Sequence, residues 1–143
     1  MPVRSLLKFL PLLVPVLCVV LVADAKTLLL DDSDNNSHLC LYVGDTLTIK
    51  LTSNPTTGYS WAKPQAFRHL KLITSRSERG SSDRVGSPGF QVFSFKATEP
   101  GESALDLNYL RPFEKNTPPA KMFHLSVKIE TRPTTKAENS ATP

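Results

Sequence analysis

The chain has 143 residues and a formal net charge of +4, from 17 Lys and Arg against 13 Asp and Glu. That length accommodates one domain with little room for a second, and 40% hydrophobic with 21% charged residues excludes a wholly disordered chain. The charge is mild and no Lys/Arg cluster occurs, so composition makes no case for nucleic acid or an anionic membrane as partner.

Residues 1–25 read as a secretory signal peptide. Arg4 and Lys8 supply a positive start, Leu10 to Ala23 is apolar though interrupted by Pro11 and Pro15, and Ala23-Asp24-Ala25 matches a small-x-small cleavage site. The apolar run is short for a membrane span and lacks a stop-transfer flank, so no membrane association is expected after cleavage. Cleavage after Ala25 removes Arg4, Lys8 and Asp24 and lowers the formal charge by one, to +3. The mature chain is then secreted or delivered to a lysosome-like compartment. Residues 26–38 are expected to form a flexible segment, because Asp31-Asp32-Ser33-Asp34-Asn35-Asn36-Ser37 is a polar run. Asn35-Asn36-Ser37 is a glycosylation sequon, whereas Pro55 disqualifies Asn54.

The domain is expected over residues 39–130. All 6 glycines lie beyond residue 25, mostly between apolar runs, and punctuate the chain too often for long helices. Leu47, Ile49 and Leu51 alternate with polar residues, the period-two pattern of a half-buried strand. Phe93, Phe95 and Ala97 repeat it, as do Leu105, Leu107 and Tyr109, then Phe123, Leu125, Val127 and Ile129. Weaker strand candidates are Leu39 to Val43, Ser60 to Ala62, and Leu70 to Thr74. Gln65 to Arg79 has no Gly or Pro and also permits a short helix, with Phe67, Leu70 and Ile73 three apart; the neighbouring strands favour a strand. The pattern predicts an all-β antiparallel sandwich. Trp61 is assigned to the space between the sheets rather than to an exposed binding surface. Residues 131–143, rich in Thr, Pro, Ala and Ser, read as a disordered tail.

No enzyme chemistry is legible. G-x-S-x-G, H-E-x-x-H, C-x-x-C and the phosphate-binding G-x-x-x-x-G-K are all absent. Cys18 leaves with the leader, so Cys40 has no partner for an intramolecular disulfide, and it reads as a small buried hydrophobe rather than a reactive thiol. His38, His69 and His124 show no metal-ligand spacing with it, so no metal or other cofactor is expected.

The informative residues lie between strands. Asn54-Pro55-Thr56-Thr57-Gly58-Tyr59 is a rigid loop: Asn54 bonds the backbone two residues on, Pro55 fixes φ, and Gly58 permits positive φ. Gly86-Ser87-Pro88-Gly89 is a tight turn with little side-chain bulk. Arg111-Pro112-Phe113 opens a third loop, where Arg111 either meets an acidic rim on a partner or braces the loop internally.

In this order and spacing, with Trp61 after the first loop, the three closely resemble the motifs of the chagasin family of cysteine-peptidase inhibitors, over about Leu39 to Glu130. The resemblance implies an immunoglobulin-like sandwich with three binding loops clustered at one end. It also implies tight, reversible, competitive inhibition of papain-like (family C1) cysteine proteases, by a protein expected to be a monomer. Thr56 and Thr57 would lie against the catalytic cysteine and histidine of the enzyme, flanked by the other two loops. Two positions depart from the family pattern: Phe113 stands where Trp is usual, and Pro88 where Gly is usual. The competing reading is a secreted immunoglobulin-like adhesion or carbohydrate-binding module, since sandwiches host many functions.

Overall fold

A computed structural model describes residues 24–134. The rest of the expected leader and residues 135–143 of the expected tail lie outside the described residues. Eight strands form two four-stranded sheets: β1 (Thr27–Asp31), β2 (Ser37–Tyr42), β3 (Thr46–Ser53), β4 (Ser60–Trp61), β5 (Leu70–Glu78), β6 (Gly89–Ala97), β7 (Gly101–Leu110) and β8 (Lys121–Glu130). One sheet has the order β1-β3-β6-β5 and the other β2-β8-β7-β4.

The four alternating runs are the inner strands β3, β6, β7 and β8, and their apolar residues face the space between the sheets. Leu47, Ile49, Leu51, Phe93, Phe95, Leu105 and Leu125 are all 0% exposed. Burying each such side chain contributes about 1.5–3 kcal/mol, which offsets the conformational entropy of ordering the strands. Trp61 is buried between the sheets as expected, and its indole N–H donates across the gap to the Thr52 carbonyl at 3.0 Å. The stretch that permitted a helix is strand β5. Strand alternation turns Leu70 and Leu72 inward and leaves Ile73 exposed, so the spacing of three does not mark one face; a register irregularity lies between Leu72 and Thr74.

Three expectations are corrected. The sheets are mixed rather than antiparallel: β1 pairs parallel with β3, and β2 parallel with β8. Residues 26–38 are not a flexible segment but hold β1, a 3-10 turn at Asp32–Asp34 and the start of β2. Their polar side chains act as staples. Asp31 accepts from Ser33, Asp34 accepts from the Asp31 amide, and Asp32 accepts from both the amide and the hydroxyl of Thr52. Asn35 imitates a strand residue, accepting from the His124 amide at 2.8 Å and donating to the Met122 carbonyl at 3.1 Å. Cys40, finally, is exposed, because β2 turns Leu39 and Leu41 inward and leaves His38, Cys40 and Tyr42 on its outer face.

The chain direction sorts the connections into two poles. β3 and β5 end, and β6 begins, at one pole, since Ser53 pairs with Gly89 and Glu78 with Phe90. β7 ends and β8 begins there too, with Ser60 opposite Leu110 and Tyr109 opposite Lys121. The loops 54–59, 79–88 and 111–120 therefore meet at one end. The turns at 43–45 and 98–100 lie at the other.

Candidate functional site

The first loop is built by Asn54. Its side-chain oxygen accepts from the Thr56 amide at 3.3 Å and the Thr56 hydroxyl at 2.5 Å. Its carbonyl accepts from the Thr57 hydroxyl at 2.7 Å, and its amide donates to the Tyr109 hydroxyl at 2.9 Å. Pro55–Thr57 form one 3-10 turn, closed by Gly58 at φ +80°, a left-handed value that side-chain-bearing residues rarely adopt. A Cβ at Gly58 would also press on the Phe113 ring at 3.2 Å. Pro55, Thr56 and Thr57 stand exposed at the tip.

Arg111 ties the third loop to the first. Its Nε donates to the Thr57 carbonyl at 3.2 Å, Nη1 donates to Glu114 at 2.8 Å, and the guanidinium lies 4.4 Å from the centre of the Tyr59 ring. The bonded Glu114 carboxylate outweighs desolvation and raises the Arg111 pKa further. Of the two roles open to Arg111, the structure thus shows the internal brace. Tyr59 is half-buried between Arg111 and Tyr109, whose ring it stacks on at 5.4 Å, and Tyr109 in turn contacts Trp61 at 5.1 Å. Pro112 and Phe113 remain exposed, Phe113 at 70%.

The second loop differs from its expected form. The turn runs from Arg84 to Ser87, whose amide donates to the Arg84 carbonyl at 3.1 Å, with Gly86 at φ +87°. Ser87 is half-covered and Pro88 exposed. Gly89 is not in the turn: it is buried as the first residue of β6. There a Cβ would collide with the Glu78 carbonyl, and one at Gly80 would collide with the Pro88 carbonyl. The two limbs of this hairpin approach too closely for side chains at either glycine. The Asn54 side chain reaches the Gly86 carbonyl at 3.5 Å, so Asn54 and Arg111 together join all three loops.

Sequence reasoning missed several residues of this end. Val85, at the tip of the second loop, is fully exposed. Gln91 pairs with both the amide and the carbonyl of Trp61, so its side chain stands in for a neighbouring strand beside the two-residue β4. Glu114 fixes Arg111. Only the i, i+3 spacing of Arg111 and Glu114 offered a signal. Among the described residues, no group of three His, Cys, Asp or Glu side chains is placed to hold a metal ion.

Comparison with known proteins identifies relatives of this chain. The model of the chagasin family of peptidase inhibitors, I42, matches residues 40–127. Amoebiasin-2 of Entamoeba histolytica is 30% identical over 103 residues, covering 71% of this chain and 84% of that protein. Chagasin of Trypanosoma cruzi is 26% identical over 99 residues, covering 66% and 90%. The crystal structure of the cysteine protease inhibitor EhICP2 from Entamoeba histolytica superposes with a TM-score of 0.67 at 25% identity, covering 74% of this chain and 97% of that one. The fold is thus an immunoglobulin-like sandwich, and the chain belongs to the chagasin family of peptidase inhibitors.

Proposed function

We propose that this protein is a tight, reversible, competitive inhibitor of papain-like cysteine proteases and that its three loops enter the active-site cleft together. The observation that carries this reading is the internal bonding of the Thr56-Thr57 tip. In this loop the Asn54 carbonyl accepts from the Thr57 amide and hydroxyl, the Pro55 carbonyl from the Gly58 amide, and the Thr57 carbonyl from Arg111. The backbone is a 3-10 turn rather than an extended strand. Such a turn keeps its shape in a cleft, and being ordered beforehand it loses little entropy on binding.

Thr56 and Thr57 face the catalytic residues in this reading. Phe113 flanks them as an apolar anchor, with Val85, Gly86 and Pro88 on the other side. Buried aromatic anchors carry most of the affinity in such interfaces. EhICP2 is itself a cysteine protease inhibitor. The test is hydrolysis of a fluorogenic peptide by papain with and without the protein. Competitive inhibition that survives Cys40→Ser supports the loops. Inhibition lost in Cys40→Ser would point to the exposed thiol instead.

We also infer that residues 1–25 are a leader removed on secretion and that the mature inhibitor is a monomer. Intact mass from a secreting host should give a chain starting at Lys26, and a retained Met1 would contradict the leader. Sedimentation of the product reads the assembly state.

A further inference from the structure

At the pole opposite the loops, Asp45 is 3% exposed yet fully occupied. Its Oδ1 accepts from the backbone nitrogen of Lys26 at 3.0 Å and from Arg132 Nη2 at 2.6 Å, and its Oδ2 accepts from the Tyr42 amide at 3.0 Å. Arg132 Nη1 also donates to the Asp24 carbonyl at 2.8 Å, and its guanidinium lies 5.4 Å from the centre of the Tyr42 ring. Lys26 is held a second way, because its carbonyl accepts from the Thr46 amide at 2.8 Å. Residues at both ends of the domain are thus gathered on one buried carboxylate.

Lys26 is also the residue after the small-x-small sequence Ala23-Asp24-Ala25. We propose that Asp45 is a socket for the α-ammonium group that processing at Ala25–Lys26 would create. Water adds across that amide: the C–N bond breaks, Ala25 takes the water oxygen and leaves as a carboxylate, and the Lys26 nitrogen takes up both water protons and becomes an ammonium. The atom that donates to Asp45 Oδ1 stays in place while its charge changes from neutral to positive. Asp24 departs with the leader, so Arg132 Nη1 gives up its carbonyl partner while Nη2 keeps Asp45. The charged and titratable groups around the new terminus are Asp45 and Tyr42 before β3, and Arg132 after β8. Lys96 of β6 stands opposite Thr46 in the register. Arg132 opposes the ammonium, but Asp45 touches it directly, so the attraction prevails.

The inference rests on the cleavage expected from the sequence, and the experiment supplies the Lys26 terminus directly, so failure of the cleavage and failure of the socket are distinguishable. Two chains are compared, one released from a fusion at Lys26 and one keeping Ala25, each with and without Asp45→Asn. The readouts are Tm between pH 5 and 10 and the Lys26 Cα chemical shift against pH. The Lys26 chain should melt higher at pH 6, by roughly 3–5 °C for an ion pair worth about 1 kcal/mol in a chain of this size. Its α-amine should titrate above the ordinary range of about 7.7–8.0. An amine with a raised folded pKa stabilises fully below its unfolded value and loses that contribution as pH rises through the folded one, so the advantage should vanish in alkali. Asp45→Asn should abolish it at every pH. Equal melting of the two chains at pH 6 would overturn the socket, as would an amine titrating in the ordinary range. The titration uses the unsubstituted chain, so it decides the matter even if Asp45→Asn does not fold.

Discussion

The two poles of this sandwich solve opposite problems with the same groups. At the Asp45 pole a buried carboxylate gathers two backbone nitrogens and a half-covered guanidinium, and these bonds close the fold on itself. At the loop pole Asn54, Arg111 and Glu114 also bond one another's loops, but the residues they hold in place, Thr56, Thr57 and Phe113, stand in solvent. Burial directs the first network into stability. Exposure leaves the second network's product, a fixed surface shape, available to a partner. Mutations at the Asp45 pole should therefore change folding without changing inhibition, and mutations at the loop tips should do the reverse.

The largest expected effect on folding tests the first half. Asp45→Ala leaves Arg132 without its carboxylate and the Tyr42 and Lys26 nitrogens without an acceptor. Arg132 is half-covered and reaches water, so the cost is mainly that of the unsatisfied nitrogens, about 1–3 kcal/mol, read as a fall in the midpoint of urea unfolding. The fraction still folded should inhibit papain as the parent does. The penalty should also depend on pH. Burial alone would raise the Asp45 pKa, but the Tyr42 and Lys26 amides and the Arg132 guanidinium outweigh it and hold it low. A depressed carboxylate stabilises above its unfolded pKa of about 3.9 and loses that contribution as pH falls through the folded value. Parent and variant should converge only in acid below about pH 4.

Next comes Thr57→Asp. Exposed at the tip, it should alter stability by no more than about 1 kcal/mol, having lost one solvent-facing hydrogen bond. In a desolvated cleft the unpaired charge should cost several kcal/mol, more than a hundredfold in the inhibition constant. Phe113→Ala should weaken inhibition by about 2 kcal/mol if the ring is an anchor, mainly through faster dissociation in a stopped-flow displacement assay. Phe113→Trp should tighten it, by adding ring area and an indole donor.

Asn54→Ala sharpens the comparison, because Asn54 belongs to both categories. Losing the bonds that fold the loop should cost about 1 kcal/mol of stability, and the loosened loop should bind more weakly for entropic reasons. Val85→Ala should have the smallest effect. The side chain touches nothing in the free protein, so melting should not change, and inhibition should weaken by less than about 1 kcal/mol.

How much of this was legible depended on whether a residue's role was local. The inner strands announced themselves because one face of each is buried and the other largely wet, Val92 of β6 excepted, which writes period two into β3, β6, β7 and β8. The first loop was readable because Asn, Pro and Gly act within their own turn. β1 was missed because Thr27-Leu28-Leu29-Leu30-Asp31 does not alternate and lies on a sheet edge. The acidic run after it looked like a solvated linker, since its partners, Thr52 and the backbone at Met122 and His124, are distant in sequence. Cys40 was misassigned for a related reason: in an apolar run, composition does not reveal which alternate residues face out. The choice between bracing and partner contact for Arg111 depended on Thr57 and Tyr59, more than fifty residues away in the chain.

The central claim, that the Thr56-Thr57 tip covers the catalytic thiol of a papain-like protease, is tested most directly by alkylation of that thiol. Papain would be exposed to iodoacetamide alone, with the parent protein, and with folded Thr57→Asp at the same concentration. The account predicts that the parent strongly slows alkylation and that Thr57→Asp leaves the rate near that of papain alone. If the parent blocked peptide hydrolysis yet left the thiol as reactive as in free papain, the loops would bind elsewhere and the account would be contradicted.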